Sequence, residues 1–311
     1  MNGESLFSPP RHVTDIADCY FYHVMDLPGY GEVGGEWDLR GTEESYLGGV
    51  SFQGKRVLEL GTASGYLCRY MEGKGADVIG FDLSAEQRWD LIPFAELDLP
   101  TLEDSMKNHI ERLKNGWWFA HHLFGDRARA VYGNIYDIPR EIGPVDIATF
   151  GAILVHLRDP FQALRSALRL TRETVIVTEV HPDQSVGSGL GSAASPESPS
   201  ALRRYLKQLR RDIGLRRHVI SLLRKTNVIP PGQPDVQQPP CMYFVPNPRA
   251  GELAGQVGSW WYFQPEVICR FIGVLGFGDQ VVTEHFQNYQ GRSMRLYTVV
   301  GKRTLGRVEE G

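Results

Sequence analysis

Between Gly54 and Val180 the chain alternates apolar runs of strand length with longer stretches of helical spacing. "KRVLELG" is apolar throughout and stops at a glycine, as a strand buried on both faces does. "ASGYLCRYMEGKG" has helical spacing and closes on Gly75, and "ADVIGFDLS" is a second buried strand. A polar, helical stretch over about residues 85–123 leads to a third strand, "ARAVYGNIYDIP". "GPVDIATFGAIL", "PFQALRSALRL" and "ETVIVTEV" then read as strand, helix and strand. This alternation predicts an α/β fold, a mostly parallel sheet with helices on both faces. Right-handed crossovers place ligands at the strand carboxyl ends.

The regularity stops at "HPDQSVGSGLGSAASPESPS", a Gly/Ser/Pro-rich loop. The basic segment 202–225 follows, with Leu202, Leu206, Leu209 and Ile213 at helical spacing among Arg203, Arg204, Lys207, Arg210 and Arg211. It reads as a solvated amphipathic helix or as a lid whose cations attract an anionic acceptor. The prolines of "VIPPGQPDVQQPPCMYFVPNP" exclude regular structure there. Residues 183–258 are therefore expected to form a lid insertion over the acceptor. "SWWYFQPEVICRFIGVLGF" suggests a cap and helix, and "DQVVTEHF" and "RLYTVVGKR" a C-terminal antiparallel pair. Residues 1–50, dense in aromatics, are expected to be a helical N-terminal cap on a domain spanning 51–311.

A net charge of −4 gives no general attraction to nucleic acid or anionic membranes. The four cysteines make no CxxC pair, so neither a zinc site nor a disulfide framework is expected, and no metal is assigned. No apolar run approaches the ~20 residues that span a bilayer. The N-terminus lacks the charged and apolar regions of a signal peptide. These features predict a soluble, cytoplasmic protein; oligomeric state is left open.

The chemistry begins at "VLELGTASG". A P-loop needs a lysine that does not follow Gly65, and a dinucleotide loop needs glycine where Ala63 stands. The stretch resembles the first motif of class I S-adenosylmethionine (SAM)-dependent methyltransferases, an acid followed by GxxxG. That resemblance implies a Rossmann-like methyltransferase sandwich and a SAM site built from Glu59, Gly61, Thr62, Ser64, Gly65, Asp82, Leu83, Asn134, Ile135 and Gly151. Asp82, ending "VIGFD", is suited to accept from both ribose hydroxyls. Asn134 stands where the family carries an acid beside adenine, and Ile135 supplies the apolar contact.

"GEWDLRG", "YLGGVSFQGKRVLELGTASGYLC" and "FGAILVHLRDPFQALRSALRLTRETVIVTE" resemble a narrower branch, which includes the tRNA wobble-uridine carboxymethyltransferases. That branch holds the extra carboxylate of carboxy-SAM with a lysine, a tyrosine and an arginine. Here the first lysine is Lys55, Val155 precedes the post-strand His156, and only Arg295 matches. A buried carboxylate without partners is costly, so the expected reaction is methyl transfer from SAM to a small-molecule acceptor, in specialised metabolism. The alternative is a tRNA wobble-base methyltransferase.

His156, just past the fourth strand, and Glu179 and His181, at the end of the fifth, are candidate general bases. Each also has a plainer reading: ordering a turn, capping or solvation. Tyr22, Trp37, Trp260, Trp261 and Arg295 are candidate acceptor-binding residues, with core packing the alternative for the aromatics. Aromatic faces can steady a cation by about 1 kcal/mol.

Overall fold

The computed structural model describes residues 6–87, 89–182, 239–247 and 257–306. The basic segment 202–225 and most of the expected 183–258 insertion lie outside the described residues. All described residues but Pro239 belong to one compact unit, Met1–Leu190 with Pro240–Gly311.

The N-terminal region is extended rather than helical. β1 (Met25–Leu27) and β2 (Gly31–Val33) pair antiparallel, β3 (Trp37–Asp38) follows, and α1 (Glu43–Tyr46) is a single turn. Gly29 and Gly31 take φ of +80° and +77°, which closes a tight hairpin and precludes a helix. β3 also joins the main sheet, pairing with its edge strand.

The alternation read from the pattern is present. β4 (Arg56–Leu60), α2 (Tyr66–Gly73), β5 (Asp77–Leu83), α3 (Leu99–Phe124) and β6 (Arg129–Gly133) are followed by β7 (Val145–Gly151), α4 (Pro160–Leu168) and β8 (Thr171–Val180). The helix expected from residue 85 starts only at Leu99, because Pro93 lies in the preceding stretch and Asp98 caps the helix through the Thr101 amide. "HLRDP" has an equally local explanation. Asp159 accepts from the Gln162 amide as the α4 N-cap, and Pro160 takes the first helical position.

A short antiparallel pair, β9 (Met242–Phe244) with β10 (Trp261–Phe263), precedes α5 (Pro265–Val274). "SWWYF" is thus partly strand. The chain ends in the hairpin of β11 (Asp279–Tyr289) and β12 (Arg292–Lys302). Gln290 and Gly291 turn it with φ of +49° and +77°, the left-handed pair that matches strand twist.

The eight-stranded sheet has the order β3-β11-β12-β8-β7-β4-β5-β6. Strands β8 through β6 are parallel, while β12, β11 and β3 are antiparallel additions. Both faces are covered. Val57, Ile147, Ile176 and Leu296 face one core with α2 and α3, and Leu58, Phe150, Val177 and Tyr297 face another with α4 and α5. From β4 the chain adds β5 on one side and, later, β7 on the other. The strand order therefore reverses beside β4, and its carboxyl tip is the crevice where such sheets bind ligands.

Candidate active site

Four loops meet at that reversal. β4 runs into Gly61–Gly65, β5 ends at Asp82–Leu83, β6 leads to Asn134–Ile135, and β7 ends at Gly151. Gly61 and Gly65 both have positive φ, +75° and +81°, and Gly65 begins α2 without a side-chain cap. The first amides of α2 are thus left without the side-chain acceptor that would normally satisfy them. Ala63 takes φ of +49° and Ala152, just past β7, +51°. Two of the three left-handed residues other than glycine among the described residues thus lie at these tips, at a cost of about 1–2 kcal/mol each.

Asp82 locks the strained loop. One carboxylate oxygen accepts from the Ala63 amide at 3.1 Å and the Thr62 hydroxyl at 3.4 Å, and the other from the Leu83 amide at 2.7 Å. Burial raises its pKa against the pull of those amides. Glu59 lies beneath the loop. Burial pushes it up to about 8, and its Oε2 is buried without a hydrogen-bond partner. Thr149, its register partner on β7, also has an unpartnered buried hydroxyl. Asn134 turns its side-chain oxygen back to the Tyr136 amide at 3.0 Å, and Ile135 packs half-buried at the edge of the second core.

Ser64 is held by the N-terminal backbone. Its side chain is fully buried, and Oγ accepts from the backbone amides of Tyr22 at 3.2 Å and His23 at 3.4 Å. This pins the N-terminal region over the loop. Ile153 closes the same space from the other side, since a Cβ on Gly61 would come within 2.9 Å of its Cδ1. A separate groove of about 410 Å³ lies at the amino end of the sheet, between Lys55, Arg56, Asp77 and Asp146. Its Arg56 is spent on the carbonyls of Ile142 and Pro144, and the strand tips are at the opposite end.

The three candidate bases are placed separately. Nδ1 of His156 bonds the Gly258 carbonyl at 2.5 Å, and burial holds the ring below its ordinary pKa. Glu179 is buried, accepts from the Leu154 amide at 2.9 Å and is pushed by burial up to about 8. Both brace the single turn Leu154–His156. His181 instead stands 4.0 Å from Glu284, which also pairs with Arg295. The Arg295 guanidinium is thereby engaged by a carboxylate of its own sheet.

Of the aromatic candidates, Tyr22 and Trp37 come together, the indole Nε1 donating to the Tyr22 hydroxyl at 3.2 Å. Trp260 and Trp261 turn away. Their Nε1 atoms donate to the carbonyls of Asp90 and Arg158, and Trp260 packs beside Ile92 and Val257. The neighbour that reaches Glu179 is Tyr262, pushed up to about 12 by burial and by that carboxylate.

Three participants were not singled out as site residues: Tyr46, Glu36 and Tyr289. The Tyr46 phenol is buried near Glu179, Tyr22 and Glu59. Glu36 accepts from the hydroxyls of Tyr20 at 2.7 Å and Tyr289 at 3.0 Å. "GEWDLRG" and "YLGGVSFQGKRVLELGTASGYLC", already set apart as motifs, carry Glu36 and Tyr46, while Tyr289 lies outside both.

A family described as "Methyltransferase domain" matches residues 42–229. No curated protein matches the chain. Among solved structures, a SAM-dependent methyltransferase from Methanosarcina mazei is similar at 13% identity, covering 86% of this chain and 100% of that one, with a TM-score of 0.47. Magnesium protoporphyrin IX methyltransferase from Synechocystis PCC 6803, with bound SAH, is similar at 13% identity over 81% and 76%, with a TM-score of 0.40. The 1,6-didemethyltoxoflavin-N1-methyltransferase of Burkholderia thailandensis is similar at 12% identity over 84% and 75%, with a TM-score of 0.43.

Proposed function

The chain belongs to the methyltransferase domain family, and from that premise we propose that it moves the methyl group of SAM to a small-molecule acceptor held under the N-terminal roof. The observation that carries the donor assignment is the contact between Asp82 and the Gly61–Gly65 loop beside the strand reversal. A carboxylate there is poised for a ribose diol, and the uncapped start of α2 suits the carboxylate of an amino acid. The chemistry of the site also fits a cationic ligand. Glu59 and Glu179 are buried and Asp82 half-buried, all three carboxyls are held above their ordinary pKa, and a nearby sulfonium or ammonium offsets the desolvation that raises them.

SAM supplies an activated methyl group and its own leaving group. What remains for the chain is alignment and exclusion of water. Gly61, Thr62, Gly65, Asp82, Leu83, Asn134, Ile135 and Gly151 would hold the donor, with Glu59 below it. The roof fixed by Ser64 keeps solvent from the strand tips. Neither His156 nor Glu179 is free for proton transfer as placed, since each holds the Leu154–His156 turn. Methyl transfer by positioning alone suits this arrangement better than a dedicated base.

Calorimetric titration with SAM and S-adenosylhomocysteine (SAH) tests the donor site, and transfer of radiolabelled methyl to a panel of small acceptors tests the reaction. Micromolar binding that Asp82→Ala abolishes is expected; absence of binding to either nucleoside sinks the reading. The tRNA alternative rests on the likeness of "GEWDLRG" and "HLRDP" to the wobble-uridine branch. Its own test is salt-dependent tRNA binding.

A further inference from the structure

The roof holds a carboxylate whose surroundings suit a cation. Glu36 is half-buried, and each of its oxygens accepts from a tyrosine hydroxyl, Tyr20 and Tyr289. Its backbone is fixed as well, the amide bonding the Tyr22 carbonyl and the carbonyl accepting from Gln290. Neutral hydroxyls orient a carboxylate without cancelling its charge. Among the described residues no lysine, arginine or histidine forms an ion pair with Glu36.

Aromatic faces complete the environment. Trp37 and Tyr289 meet at 4.7 Å between ring centroids, and Tyr20 meets His109 at 4.5 Å. Such faces attract a cation through the ring quadrupole, most strongly where water is excluded. Three other carboxylates of the N-terminal region, Asp26, Glu32 and Asp38, are treated differently and all pair with Arg40, while Glu43 accepts from the Tyr66 hydroxyl. Glu36 alone of these is held by two tyrosines. It is also tied to the glycine loop, since its amide bonds the carbonyl of Tyr22, whose own amide bonds Ser64 Oγ.

We propose that Glu36, with Tyr20, Trp37 and Tyr289, forms the acceptor subsite and that it recognises an ammonium group on the small molecule to be methylated. The assignment of the ammonium to the acceptor rests on the methyltransferase reading; the cation preference itself does not. The recognised nitrogen need not be the atom methylated, since attack requires a neutral lone pair.

The test is a ligand-observed NMR titration at low salt, without donor, using phenethylammonium chloride, the neutral 2-phenylethanol and the anion 3-phenylpropionate. Phenethylammonium should bind about ten-fold more tightly than the alcohol, and the anion weakest. Glu36→Gln keeps an acceptor oxygen for one tyrosine and offers the other an N–H that its hydroxyl can accept, and should erase that preference while leaving SAH affinity unchanged. Equal binding of cation and alcohol, or a preference that survives Glu36→Gln, overturns the proposal. Selective loss of SAM over SAH affinity in Glu36→Gln also overturns it, because the cation would then be the donor's sulfonium. Failure of the wild-type chain to bind SAH sinks the donor reading and leaves the cation preference to be judged by its own titration.

Discussion

The hydroxyl of Tyr46 lies 3.0 Å from the point that a Cβ on Gly151 would occupy. α1 and β7 therefore meet at the crevice with no room for a methyl group. Tyr46 is held there through its backbone, since its carbonyl accepts from the hydroxyls of Thr178 and Thr298. The phenol oxygen itself makes no hydrogen bond to any described residue. Gly151→Ala should displace the ring and weaken SAH binding by about ten-fold. Tyr46→Phe in the same chain restores space and should recover part of that loss. Calorimetry of the two single variants and the double variant checks the coupling.

Asp82→Asn keeps the shape of the residue at the tip of β5 but removes its charge. The carboxylate restrains Ala63 and is the proposed sugar ligand. A charged hydrogen bond contributes about 1.5–3 kcal/mol, so SAH affinity should fall roughly ten- to hundred-fold. Calorimetry gives the affinity. An unchanged value would remove Asp82 from the site.

Ser64→Ala leaves the amides of Tyr22 and His23 without their acceptor in a buried place. Two unsatisfied donors cost about 1–3 kcal/mol each. The melting temperature should drop by several degrees, and hydrogen exchange at residues 22 and 23 should accelerate more than in the central strands.

Glu179 and His285 contribute opposite pH dependences. Glu179 is raised to about 8 in the folded chain, whereas an unfolded carboxyl ionises near its ordinary value. The folded state thus holds a proton that the unfolded state releases, and the stability from this group is lost as pH rises through about 8. His285 is lowered to about 4 by burial, so the unfolded chain takes up its proton first. Stability is lost on that side as pH falls from about 6.5 towards 4. Glu59 is raised to the same value and acts in the same window, so Glu179→Gln should lessen the alkaline decline in melting temperature between pH 5 and 8 without abolishing it, and leave the acid decline in place.

Local chemistry carried a large part of this protein in its sequence. Buried strands such as Val57–Leu60 need apolar side chains on both faces, and a loop at φ near +75° favours glycine, so β4, Gly61, Gly65 and the Asp82 position were legible in order. The capped start of α4 at Asp159–Pro160 is equally local. What the tertiary structure alone decided are relationships between distant residues. Glu36 meets Tyr289 across 253 positions, and Thr42 meets Gln287 across 245. Ser64, placed by pattern in the cofactor loop, was claimed by the backbone of residues 22 and 23, and Trp260 and Trp261 were drawn off by the carbonyls of Asp90 and Arg158. A hydrogen-bonding side chain goes to whichever unsatisfied partner the fold brings near. Periodicity records which face a residue occupies but not who stands opposite.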